Sequence, residues 1–356
     1  MDRRPVPPAP PLAVLAALLA LAACAADGRP SAAGAGSGEV AELAAPSGEL
    51  SCGPLRPEAG VGEAADLFPV GDTAFGVLYG RARVVEIWSD APSLVRTVRF
   101  EREGPRGVVD AAGAARLADG RLVLADRPRG RLKLLGPGGG DAGAVDLGFP
   151  PQAVAVAGGR LYVSPFLLET DGGPLLHRVE VAGRGGTVRP VGVEPLGSDD
   201  PGWTALGNLV ALAGAGDGSL VVAHRLARAR AFLHRPGVPG PRPLRLGMTG
   251  REAAKLGVRP PTPFGEEALD RIAVPVVDAA SGPGPATLAY LTRSGRPGPG
   301  GRPGKLLVRV DTSGPRGPVL RVPVDGRRLL RLARTGLWVI ADADRLWGCR
   351  EPAEEG

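Results

Sequence analysis

Cysteine, histidine and lysine are scarce in this chain of 356 residues, with three of each (the lysines being Lys133, Lys255 and Lys305). Each scarcity excludes something. His177, His224 and His234 form no HxH or HExxH pattern, and no CxxC occurs. The usual spacings of a closed zinc site, which takes four ligands, are therefore missing. His224 and His234 are expected to face each other across neighbouring strands, as ordinary strand histidines. No G-x-S-x-G nucleophile elbow appears, and no glycine-rich loop leads into a helix as a phosphate cradle requires.

With so little lysine, the formal charge of +6 is carried by arginine. Arginine beside abundant Ala, Gly and Pro reads as a GC-rich coding composition. There is no long run of like charge and no interleaving of basic and aromatic residues, so no nucleic-acid partner is expected.

What the chain has in quantity is glycine (55) and proline (38), about a quarter of its length. That share borders on compositions that do not fold. Here, though, Gly and Pro fall between short Val- and Leu-rich runs, the pattern of strands separated by turns.

The N-terminus is of another kind. Arg3 and Arg4 are followed by an apolar run, Pro11 to Ala23. The run is too short for a membrane span, which needs about 20 apolar residues, and has the parts of an export signal. It ends Leu21-Ala22-Ala23-Cys24, which resembles the lipobox of bacterial lipoproteins. The resemblance implies cleavage before Cys24 and a lipid on its thiol. The mature chain is then exported and held at a membrane by acyl chains. In a Gram-negative cell, Ala25 after the cysteine fits the outer membrane. The boundaries expected are a signal peptide over 1–23, a flexible small-residue tether over 24–49, a folded region over 50–352 and a tail over 353–356.

Within the folded region one pattern recurs: a turn pair, then an alternating apolar strand. It reads "DTAFGVLYG", "ADGRLVLAD", "AGGRLYVSP", "GDGSLVVAH", "PATLAYLTR" and "RTGLWVIAD". A strand precedes each and a third follows, and a fourth is visible in five of the six units. "DGRLVLADRPRGRLKLLGPGG" resembles the core of NHL-like repeats. The resemblance implies an all-β, six-bladed β-propeller, in which blades that cannot bury both faces alone bury them against their neighbours. The stretch at about 249–272, with the helical "REAAKLG", reads as an insertion, and "GRPGPGGRPG" (295–304) as a flexible loop in blade five.

The sixth unit has only three strands. In propellers the opposite terminus commonly supplies the missing one, and "GELSCGPL" is the candidate here. Pairing it with "RLWGCREP" sets Cys52 beside Cys349, the two thiols left once Cys24 is acylated. An exported chain meets an oxidising compartment, so a disulfide between them is expected, with two separate buried thiols as the alternative.

For function, arginines stand out. "DRPRGR" and "HRLARAR" occupy the equivalent turn, after the second strand, in blades two and four. Arg127, Arg129, Arg131, Arg225, Arg228 and Arg230 would form a basic rim on one face. Such a rim suits an anionic polymer or an envelope protein, because guanidinium pairs bidentately with carboxylate and phosphate. The reading is a monomeric, lipid-anchored binding or scaffolding module of the cell envelope, with no cofactor and no expected catalysis. The alternative is a calcium-dependent hydrolase, since some six-bladed propellers are calcium-dependent lactonases. Glu63, Asn208 and Asp278 near inner strands would be its oxygen ligands, although the surrounding motifs of that family are not recognisable.

Overall fold

The structure is a computed structural model. It describes residues 46–56, 62–91, 93–104, 107–166, 173–193, 195, 204, 206–215, 217–225, 231–244, 276–282, 287–297, 303–311, 316–343 and 345–352. The expected signal peptide, most of the tether and the insertion at 249–272 lie outside these residues.

Strands β1 (Gly48–Glu49) and β2 (Ser51–Arg56) come first in the chain but complete sheets formed mainly by its end. Four blades then follow in order. The first is β3 (Asp66–Pro69), β4 (Ala74–Tyr79), β5 (Val84–Ser89) and β6 (Leu94–Arg99). The second is β7 (Ala111–Arg116), β8 (Leu122–Asp126), β9 (Arg131–Leu135) and β10 (Asp141–Asp146). The third is β11 (Pro151–Ala157), β12 (Arg160–Pro165), β13 (Leu176–Ala182) and β14 (Gly185–Gly192). The fourth is β15 (Val210–Gly214), β16 (Leu220–His224), β17 (Ala231–His234) and β18 (Arg242–Leu244).

Blade five is β19 (Asp278–Ser281), β20 (Thr287–Pro297), β21 (Pro303–Asp311) and β22 (Arg316–Val322), with β1 added in parallel to β22. Blade six is β23 (Arg328–Arg331), β24 (Trp338–Ala341) and β25 (Leu346–Arg350), and its fourth strand is β2, antiparallel to β25. The fold is therefore an all-β, six-bladed propeller closed by an N-terminal strand. In the closing pair Cys52 lies directly opposite Cys349, and their sulfurs are bonded. In blade five the paired strands run further into the glycine-rich stretch than its composition suggests: Pro297 pairs with Pro303. Only 298–302 then lies between the two strands.

Period-two alternation explains the packing. On β4, Val77 and Tyr79 pack with Val339 and Ala341 of blade six. Leu78, between them, packs with Leu122 and Leu124 of blade two. On β8, Val123 and Ala125 turn instead to Leu161 and Val163 of blade three. The same scheme joins blades three and four through Tyr162 and Val222, four and five through Val221 and Tyr290, and five and six through Leu291 and Ile340. The second strand of each blade thus buries both faces, and the core is six apolar seams between neighbours. A fully buried Leu or Val contributes about 1.5–3 kcal/mol, so no blade is stable apart from its neighbours. The inner strands β3, β7, β11, β15, β19 and β23 touch in that order, and β23 returns to β3, enclosing a central channel.

Candidate functional site

The two mouths of the channel differ. At the C-terminal ends of the inner strands a cavity of about 330 Å³ is lined largely by small and apolar residues, among them Leu67, Ala114, Leu212 and Leu330. At the N-terminal ends a cavity of about 420 Å³ is lined by Asp66, Asp110, Arg127, Gln152, Arg225 and Arg328, among others. Asp66 and Asp278 line both cavities, and Asp72, Arg116 and Arg331 also line the first, but Arg127, Arg225 and Arg328 meet only at the second.

Its floor is built by side chains that reach from one blade to the next. Asp66, first residue of β3, accepts hydrogen bonds from the Leu67 N–H (2.9 Å) and, in blade two, the Ala114 N–H (2.8 Å). Gln152 of blade three accepts from the Val210 N–H (3.2 Å) of blade four and donates to its carbonyl (3.1 Å). Asp278 of blade five accepts from the Leu329 N–H (2.8 Å) of blade six. The odd-numbered blades each clasp the following even-numbered blade.

The even-numbered blades supply Arg127, Arg225 and Arg328. The residue just after the second strand is fixed by a backbone bond to the carbonyl just ahead of an inner strand. In blade two this is Arg127 onto Asp110 (3.1 Å), in blade three Phe166 onto Pro150 (2.7 Å), and in blade four Arg225 onto Leu209 (2.8 Å). One repeated position therefore presents Arg, Phe and Arg in consecutive blades, and the Arg127 guanidinium stacks over the Phe166 ring at 5.1 Å. Arg328 enters from the start of β23. Its Nε donates to the Ala65 carbonyl (2.6 Å) and one terminal nitrogen donates to the Arg327 carbonyl (3.2 Å).

The three guanidiniums feel one another. Burial pulls Arg225 down to about 10, still charged at neutral pH, with repulsion from Arg328 and Arg127 adding to the effect. Burial likewise lowers Arg127, helped by Arg328 and opposed by Asp110. Among the described residues, the Nε atoms of Arg127 and Arg225 are both buried without a hydrogen-bond partner. A terminal guanidinium nitrogen of each forms a loose ion pair at 3.8 Å, Arg127 with Asp110 and Arg225 with Asp278, beyond hydrogen-bonding distance. Burial also pushes Asp66 up to about 7, its two backbone bonds and Arg328 only partly opposing it, and raises Asp278. The site is one where three guanidiniums gather and one carboxyl gives up its charge near neutrality.

The other candidate residues have different places. Arg129 donates to the carbonyls of Gly107 (3.0 Å) and Arg102 (3.3 Å). Arg131 donates to the Gly107 carbonyl (2.8 Å) and to the fully buried Asp126 carboxylate (3.3 Å). These two arginines hold the loop that leads into β7. Arg228 and Arg230 lie outside the described residues, as does Cys24. Glu63 pairs with Arg327 at 2.8 Å, the Asn208 amide donates to the Thr204 carbonyl at 2.7 Å, and Asp278 is engaged as above. Among the described residues no three His, Cys, Asp or Glu side chains gather as a metal-ligand group.

The histidines do not face each other. His224 lies opposite Val210, and its Nδ1 meets the Gly207 carbonyl at 2.8 Å. His234 lies opposite Leu220, at the other end of β16, edge-on to Tyr162. The β16–β17 register, which sets Ala223 against Ala231, separates them. Asp66, Gln152, Phe166 and Arg328 were not singled out by sequence reasoning. For Phe166 a signal existed, since it holds the same place after its strand as Arg127 and Arg225.

No family model matches this sequence, and no curated protein matches it. Solved structures do. A gluconolactonase from Xanthomonas campestris shares 13% identity at a TM-score of 0.54, over 92% of this chain and 96% of that one. A member of the DUF4221 family from Bacteroides vulgatus shares 9% identity at a TM-score of 0.57, over 85% of this chain and 97% of that one. At such identities the likeness concerns architecture alone: this chain is a six-bladed β-propeller that shares its fold with both.

Proposed function

We propose that the chain is an exported, lipid-anchored binding or scaffolding module of the cell envelope, and that the arginine-bearing mouth is its ligand-facing end. The observation that carries this reading is the meeting of Arg127, Arg225 and Arg328 at one cavity. Guanidiniums gathered at one opening attract an anion and pair with it through charge-assisted hydrogen bonds. The anchoring part rests on the Leu21–Cys24 lipobox.

The calcium-dependent hydrolase is supported less well. Glu63 is held by Arg327, Asp278 faces Arg225, and three guanidiniums at the same mouth repel a divalent cation. The test is fractionation followed by capture. Cys24→Ser is expected to move the chain from the membrane to the soluble fraction. The anchored wild type is expected to retain an acidic envelope polymer in low salt and release it in high salt. Retention in the membrane by Cys24→Ser, or salt-insensitive capture, contradicts the reading.

A further inference from the structure

The mouth has a shape and charge balance that narrow what it takes. Its cations are Arg127, Arg225, Arg328 and, at the edge, Arg81; its anions are Asp66, Asp110 and Asp278, while Glu63 is paired with Arg327. The balance is a modest positive excess, which grows when Asp66 holds its proton. The cavity, about 420 Å³, is the size of a small organic molecule or of one acidic group of a larger ligand. One wall is apolar: Phe166, Leu206, Leu209 and Leu212 line it, and Phe166 is the ring on which Arg127 stacks.

We propose that this mouth binds a small organic carboxylate, its anionic group between Arg127, Arg225 and Arg328 and its apolar body beside Phe166 and Leu209. This deepens the binding-module reading and rests on it for the choice of mouth. The planar carboxylate is the partner that forked guanidiniums converging on one cavity accommodate best. The blade-to-blade clasps of Asp66, Gln152 and Asp278 hold the floor beneath them, so the site exists before the ligand arrives. Asp66 sits among Arg328, Arg225 and Asp278 and opposes the ligand whenever it is ionised.

The experiment is calorimetric titration of the mature full-length protein with isophthalate, with the cation benzamidinium as control. Wild type is expected to bind isophthalate and not benzamidinium. Arg225→Gln should weaken binding by about tenfold, the loss of one charge-assisted pair. Arg184→Gln, at an exposed hairpin tip, should leave it unchanged. Asp66→Asn should tighten binding by about threefold at about pH 8, where the wild-type carboxyl is ionised, and make no difference at about pH 5. That gain keeps the test decisive should Arg225→Gln fold poorly, because a merely structural role does not predict tighter binding. Absence of isophthalate binding to wild type overturns the proposal. So does binding that neither Arg225→Gln nor Asp66→Asn alters. Capture of an acidic envelope polymer that isophthalate does not compete keeps the binding module and overturns this seat for its ligand.

Discussion

Cys52 and Cys349 are bonded across the one antiparallel pair that joins the start of the propeller to its end, 297 residues apart in sequence. The bond closes the ring covalently where the six seams close it by packing. Cys349 is itself fully buried, among Trp338, Ile340 and Leu50. The chain-entropy account gives about 5–6 kcal/mol for a loop of this length, reduced by any structure left in the unfolded chain. The double substitution Cys52→Ala, Cys349→Ala is therefore expected to lose about 3–5 kcal/mol in denaturant unfolding. The same loss should follow reduction of the wild type, and reductant should leave the double variant unaffected.

A second prediction concerns pH. Asp66 holds its proton to about 7 in the fold, against 3.8 in the unfolded chain. Between those values the native state binds more protons, so this group makes stability fall as pH rises. Partial access to cavity water reduces the effect to about 2–3 kcal/mol across that window. His177 and His234, both lowered by burial, act in the opposite sense below their ordinary value. Those contributions are common to wild type and Asp66→Asn and cancel in the difference. Thermal unfolding from about pH 5 to pH 8 should show Asp66→Asn gaining on wild type as pH rises. A constant difference contradicts the account.

A third prediction separates the arginines. Arg129 ties the loop before β7 through the carbonyls of Gly107 and Arg102. Arg129→Gln should cost about 1–2 kcal/mol of stability and leave isophthalate affinity unchanged. Arg127→Gln should do the reverse, with little loss of stability and weaker binding.

A fourth concerns seam geometry. Gly143 sits at the bulge in β10 with φ +112°, and a Cβ there would lie 2.0 Å from the Arg184 carbonyl oxygen of blade three. That oxygen accepts the Ala144 N–H at 2.9 Å. Gly143→Ala must break this contact between blades two and three as well as strain the backbone. A loss of about 2 kcal/mol or more is expected in chemical denaturation.

These residues also show what was legible in the sequence. The blades were, because alternating apolar strands between Gly turns are a local pattern, and the missing sixth-blade strand named its own partner. Arg127 and Arg225 were legible as equivalent turns, since that equivalence follows from the repeat. Their inward direction was not: it depends on backbone bonds to Asp110 and Leu209. Arg328 lies far along the chain and reaches the mouth from an inner strand rather than a turn, so only ring closure brings it beside Arg127. The clasps of Asp66 and Gln152 need the spacing between blades, and the histidine positions need the β16–β17 register. None of these is encoded in a short stretch of sequence.

The most direct test of the central claim is a crystal structure of the mature protein soaked with 5-bromoisophthalate, read by bromine anomalous scattering. The account predicts a peak in the channel mouth, with a carboxylate in hydrogen-bonding reach of Arg127, Arg225 and Arg328. A peak confined to exposed arginines such as Arg184, with the mouth holding only water, would contradict it.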